Sequence, residues 1–374
     1  MSYQEYRKHL PVALLVILIF AYIEYSSGNF EAFDHHIRGL TTFLDTLQQE
    51  SGDPSIKSLL AAWMQARLVV WWSRAYYRSV EAQINLPSVP LPAILYSNFG
   101  QFEERRVLVL SIMCESHRLN TQAVLKYCSS GLMRTDADAR QLDHEFEEIQ
   151  TMLRTEAGKL DEWLLGLPPT EKPRMRDITE HSASMDTSIY FQSHDAALNY
   201  AYYLVARITQ STECLSLLPT RTPHLLGHEF SETKPWILLL LRIAQGIDIK
   251  TAVTRNTYTI GFSGLLLAAF LRCQDLALSR LIENWLQALE NLTPTEEGSF
   301  PVFQILSVIK AINSYRFMGR DVFAVSQPID DLGGPKLGCY CSQKIDSLFV
   351  HGKLRSTGDF FTELISIDGQ GQAR

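Results

Sequence analysis

Apolar residues recur at steps of three and four along most of this chain, and that spacing restricts the possible folds more than any other feature. In the segment 30–47 the recurring apolar residues are Phe30, Phe33, Ile37, Leu40, Phe43, Leu44 and Leu47. Since an α-helix completes a turn in about 3.6 residues, such residues lie on one helical face. The sequence therefore predicts an all-α protein, built as a large, irregular helical bundle.

Proline residues divide this helical pattern into separate elements. Pro54 suits the first turn of a helix, whereas the three prolines between Leu86 and Pro92 predict a loop, because proline disrupts a helix interior. A helix is predicted from Phe102 to Ser129, with a break near Asn120. Further helices are predicted from 194 to beyond 218 and at 236–247, 260–273, 276–292 and 301–317, with 236–247 and 260–273 apolar enough to be buried.

The segment 136–167 carries the most regular stripe, with apolar residues near heptad spacing at Leu142, Phe146, Ile149, Leu153, Leu160, Trp163 and Leu167. Glu156 interrupts the stripe, and acidic residues are concentrated at the start of the segment, where negative charge stabilises a helix N-terminus. Two interpretations follow, namely a seam inside the bundle or a coiled-coil contact with a partner. We favour the bundle seam.

The run from Leu10 to Ile23 is almost wholly apolar, yet Glu24 ends it before the length of about 20 residues that a membrane span requires. A signal peptide requires a basic start and a small-residue cleavage site; Arg7 and Lys8 provide some of the first, and Tyr25–Ser27 provides little of the second. We expect a buried core helix. The alternatives are a secretion or membrane anchor and an interfacial segment.

Residues 169–189 interrupt the helical pattern with a polar, proline-containing stretch that lacks apolar periodicity. We predict one domain over 1–374, composed of two helical halves, 1–168 and 190–374, that are joined by a polar linker near 169–189. After the turn-forming segment Asp330–Pro335, two short segments at 345–350 and 360–367 are rich in β-branched and aromatic residues. They predict a short β-hairpin near the C-terminus.

Composition and charge argue against several classes of protein. Hydrophobic residues make up 46% of the chain and the net charge is −7, so a large core is feasible but the basic excess of a dedicated nucleic-acid binder is missing. The six scattered cysteines are Cys114, Cys128, Cys214, Cys273, Cys339 and Cys341. They are too sparse for a disulfide scaffold, so we expect reduced thiols in an intracellular protein.

Sequence motifs for catalysis are absent: the chain has no phosphate-binding loop, no dinucleotide fingerprint, no Gly-x-Ser-x-Gly elbow and no His-Glu-x-x-His zinc motif. We therefore predict that the chain is not an enzyme. We assign no catalytic, cofactor-binding, metal-binding or DNA-binding residue and expect no cofactor.

Three groups of histidines and cysteines come close to a metal site without matching one. His35 and His36 are adjacent on a predicted helix, so their side chains point about 100° apart and suit separate surroundings. Cys339 and Cys341, with His351 downstream, do not have the spacing of a standard zinc module. A further pair, His224 and His228, lies in a predicted loop without a third ligand nearby, so we expect no metal there.

Arg242 follows a long apolar run, and a buried arginine needs a partner. Asp248 is the expected partner, with Gln245 between them. The pair is interpreted as a structural salt bridge, and part of a ligand pocket is the alternative.

The segment Leu14–Leu44 is similar to a signature of the fungal-specific transcription factor domain, the regulatory region of fungal binuclear zinc-cluster transcription factors. An apolar helix at Leu14–Ile23 leads into the acidic-aromatic step Glu24-Tyr25 and a turn at 26–29, and the next helix carries the segment His36-Ile-Arg-Gly39. The family usually has tryptophan where this chain has Phe33, and both are large aromatic residues.

Segments of the second half resemble the C-terminal region of the same family. They are Pro235-Trp236, Arg242–Asp248, Asn256–Gly261, Glu296–Pro301 and Asp330–Pro335. These are packing motifs, and their order and number carry a resemblance that covers most of the chain. It implies a nuclear regulator of transcription whose partners are the transcription machinery or another regulator, with a possible small-molecule effector.

One departure from the family limits what the resemblance implies. Such factors normally begin with a binuclear zinc cluster of six closely spaced cysteines, whereas no cysteine precedes Cys114 here. We therefore expect a regulatory module without its own DNA-binding cluster and without direct contact to nucleic acid or membrane. Two alternatives stay open: a helical small-molecule-binding protein or metabolic enzyme, and a helical protein anchored in a membrane by residues 10–23.

Overall fold

The computed structural model describes residues 3–27, 30–39, 54–76, 78–92, 95, 100–130, 136–175, 189–218, 232–292, 296–298, 300–328, 345 and 347–367. The helices among them are α1 (Tyr3–Ser26), α2 (Phe30–Gly39), α3 (Pro54–Tyr76), α4 (Val80–Ile84), α5 (Phe102–Ser130), α6 (Asp136–Leu165), α7 (His194–Gln210), α8 (Glu213–Ser216), α9 (Lys234–Gly246), α10 (Ile249–Arg255), α11 (Phe262–Leu271), α12 (Leu276–Glu290) and α13 (Val302–Phe317). The described part is thus mostly helical, and the predicted fold class is confirmed.

Outside the C-terminal region, the described strands are only two residues long and form two-stranded sheets. The strands are β1 (Arg174–Met175), β2 (Ile189–Tyr190), β3 (Glu296–Glu297), β4 (Phe300–Pro301), β5 (Arg320–Ser326), β6 (Ser347–Leu354) and β7 (Phe360–Ser366). Strands β6 and β7 pair antiparallel and confirm the predicted hairpin. Strand β5, which the sequence did not predict, adds a third strand on the other side of β6.

The predicted break in the helix at 102–129 is wrong, because α5 continues through Asn120 without interruption. Asparagine disfavours a helix interior mainly because its side chain competes for backbone hydrogen bonds. Here that side chain has partners elsewhere: Asn120 Nδ2 donates to the Thr209 carbonyl at 2.8 Å, and its Oδ1 accepts from Arg272 Nε at 2.6 Å. These long-range bonds stabilise the unbroken helix.

The apolar stripe of 136–167 is a seam inside the bundle, as favoured from its sequence. All seven of its apolar residues are buried, and α6 packs against α5 and α7. Glu156, which interrupts the stripe, is itself buried and pairs with Lys159 at 2.6 Å. The stripe is therefore occupied by this chain's own helices.

Helix α1 only partly meets the expectation of a buried core helix. Leu14, Leu18 and Ala21 are buried on one side, and α1 packs on α2 and α3. The other side exposes Val12, Leu15, Val16, Ile19, Phe20 and Ile23, each between 42 and 59%. Within the described ranges, none of the helices combines the length and apolar character needed to cross a bilayer.

Helices from both predicted halves share one large apolar core. The most extensive such contact joins α5 of the first half to α7 of the second, and buried residues from α1 to β7 form one continuous cluster. A smaller cluster lies where α5, α6 and α8 meet Phe323 and Ala324 of β5. Residues 176–188 of the predicted linker lie outside the described residues. So do His224 and His228, with the loop predicted around them, and the predicted turn at 330–335.

Three buried cations join the C-terminal sheet to the helices. Arg272 donates to the Phe323 carbonyl at 2.6 Å, Arg316 donates to the Val322 carbonyl at 3.2 Å, and Lys353 donates to the Leu217 carbonyl at 2.7 Å. All three side chains are at most 2% exposed. A buried cation needs such polar partners, so these bonds fix the position of the sheet.

Candidate functional site

A group of buried and half-buried polar side chains lies where α7 begins. We call it the polar cluster and define it by Arg106, His194, Asp195, Asn199, Asn256 and Glu297. Arg106 comes from the first turns of α5, three residues come from the start of α7, Asn256 follows α10, and Glu297 lies in β3. Ser193 caps α7 by accepting from the Ala196 amide at 3.1 Å, which fixes the start of that helix.

Glu297 is fully buried and caps α11 from outside the helix. Its carboxylate accepts hydrogen bonds from the amides of Phe262 at 2.8 Å and Ser263 at 2.6 Å, and it also contacts the Ser263 hydroxyl at 2.7 Å. Asn256 Nδ2 donates to the same carboxylate. A negative group at a helix N-terminus meets unpaired amides and a favourable dipole, so Glu297 stabilises α11 at its first turn.

Two glycines make this approach possible. A Cβ atom at Gly261 would lie 2.4 Å from the carboxylate of Glu297. Gly298 has φ +71°, and a Cβ there would lie 2.3 Å from the Gly261 amide nitrogen. A larger residue at Gly298 would force the two segments apart, and one at Gly261 would displace the carboxylate of Glu297. The segments Asn256–Gly261 and Glu296–Pro301, which carry part of the family resemblance, therefore fit directly against each other.

His194 extends this network to α7. Its Nε2 lies 2.8 Å from Asn256 Oδ1, and since the amide nitrogen of Asn256 already donates to Glu297, the Oδ1 atom accepts from His194. The Nδ1 atom of His194 is buried and has no hydrogen-bond partner. The ring is half-buried and meets Phe262 edge-on, which keeps it at the start of α11.

Arg106 forms the other side of the polar cluster. Its Nε donates to Asn199 Oδ1 at 2.8 Å and its Nη2 donates to Asp195 Oδ1 at 2.5 Å. Burial raises the pKa of Asp195, but the hydrogen bond and the charge of Arg106 outweigh that effect and lower the pKa below its ordinary value. Asn199 is almost fully buried, and its Nδ2 donor has no partner.

A second buried polar group, His117 on α5, lies among aromatic rings of α3. The ring centroids of Trp72 and Tyr76 lie 4.9 and 4.7 Å from that of His117, and Trp71 approaches edge-on. Burial, and then the charge of Arg272, lowers the pKa of His117 to about 3. The imidazole is therefore neutral at physiological pH and serves as part of the core.

A serine and a histidine also meet in the C-terminal sheet. Ser326 Oγ lies 2.8 Å from His351 Nε2, and His351 Nδ1 lies 3.0 Å from Thr362 Oγ1. A nucleophilic serine needs an adjacent base and access to substrate. Ser326 is fully buried, and burial lowers the pKa of His351 to about 4. The three side chains come from β5, β6 and β7, so they link the strands.

The structure separates most of the groups that the sequence singled out. His35 is exposed and His36 is half-buried and stacked on Phe20, with ring centroids 6.2 Å apart. Arg242 and Asp248 are both exposed, so the predicted buried salt bridge is wrong. Asp248 instead caps α10 by accepting from the Thr251 amide at 2.9 Å. The guanidinium group of Arg242 is solvated at the surface of α9 and needs no buried ion pair.

Among the described residues, no group of three or more histidine, cysteine or acidic side chains is arranged to hold a metal ion. His224, His228, Cys339 and Cys341 lie outside the described residues. Among the cysteines, Cys114 and Cys273 are buried thiols, and burial raises the pKa of both.

Sequence reasoning missed the polar cluster because its members are separated by up to 191 positions, from Arg106 to Glu297. The sequence signal that could have pointed to this site is a pair of glycines, Gly261 directly before α11 and Gly298 directly after Glu297. Comparisons with protein-family models, with curated proteins and with solved structures find no match for this chain.

Proposed function

We propose that this chain is the regulatory module of a fungal zinc-cluster-type transcription factor and acts without catalysis. The observation that carries the proposal is the contact between two of the segments that resemble the family. Asn256 and Gly261 meet Glu297 and Gly298 in one buried arrangement that caps α11. Two of the segments that carry the resemblance thus depend on each other in the fold, which is a physical reason for both to occur in one chain.

A scaffold role fits the chemistry of the described polar groups. The carboxylate of Glu297 accepts hydrogen bonds from backbone amides. Ser326 and His351 are buried, so a substrate cannot reach them. The buried side chains of Arg272, Arg316 and Lys353 donate hydrogen bonds to backbone carbonyls. Groups engaged in this way stabilise a fold and support a surface, as a module that binds coactivators requires.

The proposed partners are the transcription machinery or another regulator, and the proposed location is the nucleus. A net charge of −7 gives no attraction to the phosphate backbone of DNA, so the proposal assigns recognition of DNA to another polypeptide or segment.

A tethering experiment tests this function. The chain is fused to a heterologous DNA-binding domain in yeast, and transcription from a reporter carrying the matching site is measured. We expect a change of about tenfold in either direction relative to the DNA-binding domain alone, together with nuclear fluorescence of a tagged chain. The variant Glu297→Ala, which loses the cap of α11, should lose the effect, whereas Glu296→Ala next to it should keep the effect, because Glu296 is exposed. An unchanged reporter with a folded, nuclear chain would reject the proposal.

One observation favours the alternative of a helical small-molecule-binding protein. The Nδ2 donor of Asn199 and the Nδ1 atom of His194 are buried without partners, and buried polar atoms normally have them. A polar ligand that reaches either atom would supply a missing partner. Native mass spectrometry of the purified chain tests this: a bound mass that disappears in Asn199→Leu supports the alternative, and an unliganded wild-type chain contradicts it.

A further inference from the structure

The outer face of α1 is the largest group of exposed apolar side chains on any one described helix. We call it the α1 face and define it by Val12, Leu15, Val16, Ile19, Phe20 and Ile23. From Leu10 to Ile23 the helix contains no charged residue. Contiguous exposed apolar side chains on a folded protein mark a contact surface, because their hydration is unfavourable.

The helix itself is held in place from its inner side. Leu14, Leu18 and Ala21 are buried against the core, and near the C-terminal end Ser26 Oγ lies 2.6 Å from the hydroxyl of Tyr258. Tyr22 meets the ring of Tyr258 edge-on, with centroids 5.2 Å apart. The α1 face is therefore presented in a fixed orientation.

The spacing of the α1 face is that of a helix-pairing seam. Val12, Val16, Ile19 and Ile23 follow steps of four, three and four, which are the steps between the core positions of a heptad repeat. Leu15 and Phe20 flank this seam on its two sides. A seam of this kind is typically covered by another helix with the same spacing.

The seam is also symmetric about its own centre, which lies between Ile17 and Leu18. Reversing the order of steps four, three and four gives the same order, and Leu15 and Phe20 are equally far from the centre. In an antiparallel pair related by a twofold axis, Val12 therefore lies opposite Ile23 of the second copy, and Val16 lies opposite Ile19. A twofold interface requires a patch that complements itself in this way.

We propose that two copies of this chain associate through antiparallel contact between their α1 faces. Antiparallel helices also place opposite ends of their macrodipoles together, which is favourable. Six half-exposed large side chains offer roughly 500 Å² per copy, close to the lower limit of about 1,000 Å² in total for a specific interface. We therefore expect a dimer that dissociates in the micromolar range. The proposal is independent of the proposed function.

Sedimentation velocity of the full chain over a concentration series tests the association. We expect the wild-type mass to rise towards that of a dimer. Ile19→Glu, at the centre of the seam, should raise the dissociation constant by about tenfold or more, since a buried unpaired charge opposes association. The control Leu165→Glu changes an exposed leucine at the end of α6 and should leave the dimer intact. Thermal unfolding checks that both variants fold.

Charge pairing tests the antiparallel register. Val12→Glu and Ile23→Lys should each weaken the homodimer, and an equimolar mixture of the two should recover association, because Val12 of one copy lies opposite Ile23 of the other. A mixture of Val12→Glu with Val12→Lys should not recover it, since only a parallel pair brings those positions together. Recovery in the second mixture alone would overturn the register.

Three results would overturn the proposal as a whole. The first is a chain that stays monomeric through the tens of micromolar range. The second is a dimer that Ile19→Glu leaves unchanged. The third is a monomer that co-sediments with phosphatidylserine-containing vesicles and loses this binding in Ile19→Glu, which would assign the α1 face to a lipid surface.

Discussion

The segment Leu10–Ile23 of α1 and the whole of α11 are both almost wholly apolar, yet the two helices lie in opposite surroundings. Every residue of α11 is buried, and the helix packs against α7, α9, α12, α13 and β5. Helix α1 packs against α2 and α3 on one side and exposes six large side chains on the other. Apolar composition alone thus does not determine burial; the number of neighbouring elements does.

The strongest test of this comparison is the removal of one large side chain from each helix. Leu266→Ala in α11 should lower the free energy of unfolding by about 2–5 kcal/mol, because it leaves a cavity in a fully enclosed core. Leu15→Ala on the α1 face should cost less than about 0.5 kcal/mol in dilute solution. Urea unfolding at low protein concentration measures both. Equal losses in the free energy of unfolding would mean that the outer side of α1 is buried against other elements, as α11 is.

The cap of α11 offers a smaller, more specific test. Glu297→Ala removes the acceptor of two backbone amides and of Asn256, so we expect a loss of about 2–3 kcal/mol in the free energy of unfolding. Glu296→Ala is the matched control next in sequence and should change stability by less than about 0.5 kcal/mol. A Glu297 variant as stable as its control would show that α11 needs no cap.

Mild acid tests the interior, where a buried histidine lies, whereas the six residues that define the α1 face carry no ionisable group. His117 faces Trp71, Trp72, Tyr76 and Thr121 and lies near Arg272, and its pKa in the folded chain is about 3. In the unfolded chain the pKa is about 6.5, so the unfolded state binds more protons and stability falls as pH drops from about 6.5 towards 3.

The variant His117→Phe isolates this effect, since phenylalanine suits the aromatic surroundings and does not titrate. Between pH 7 and pH 5 the wild-type chain should lose about 1–2 kcal/mol more than the variant. Urea unfolding at the two pH values gives that difference directly. Parallel losses in the two proteins would show that His117 accepts a proton in the folded state. The control His35→Phe, at an exposed position on α2, should match wild type.

Local patterns predicted a large part of this fold. The start of α3 at Pro54, the seam of α6 and the hairpin of β6 and β7 all follow from residue spacing and from proline. Strand β5 was missed because a short, almost wholly buried strand has no alternation of apolar and polar residues to mark it in the sequence. The positive φ of Gly319, between α13 and β5, is where the chain leaves the helix.

The candidate site was far less predictable than the elements that carry it. Asn256 and Glu297 appeared in the sequence as parts of two separate motifs, and Arg106 and Asn199 had no signal at all. Hydrogen bonds between residues far apart in the chain produce no periodic pattern in the amino-acid sequence. Arg242 shows the opposite error, since an apolar run suggested burial where the structure places the side chain in solvent.

The sequence by itself determined that this chain is helical and where most helices begin, because helical periodicity and proline act over a few neighbouring residues. Only the tertiary structure decided that α5 runs unbroken through Asn120, that Glu297 caps α11, and that one apolar face of α1 stays exposed. Each of these outcomes depends on contacts between residues far apart in the chain. Their free energies arise from burial and hydrogen bonding that exist only once the helices have packed.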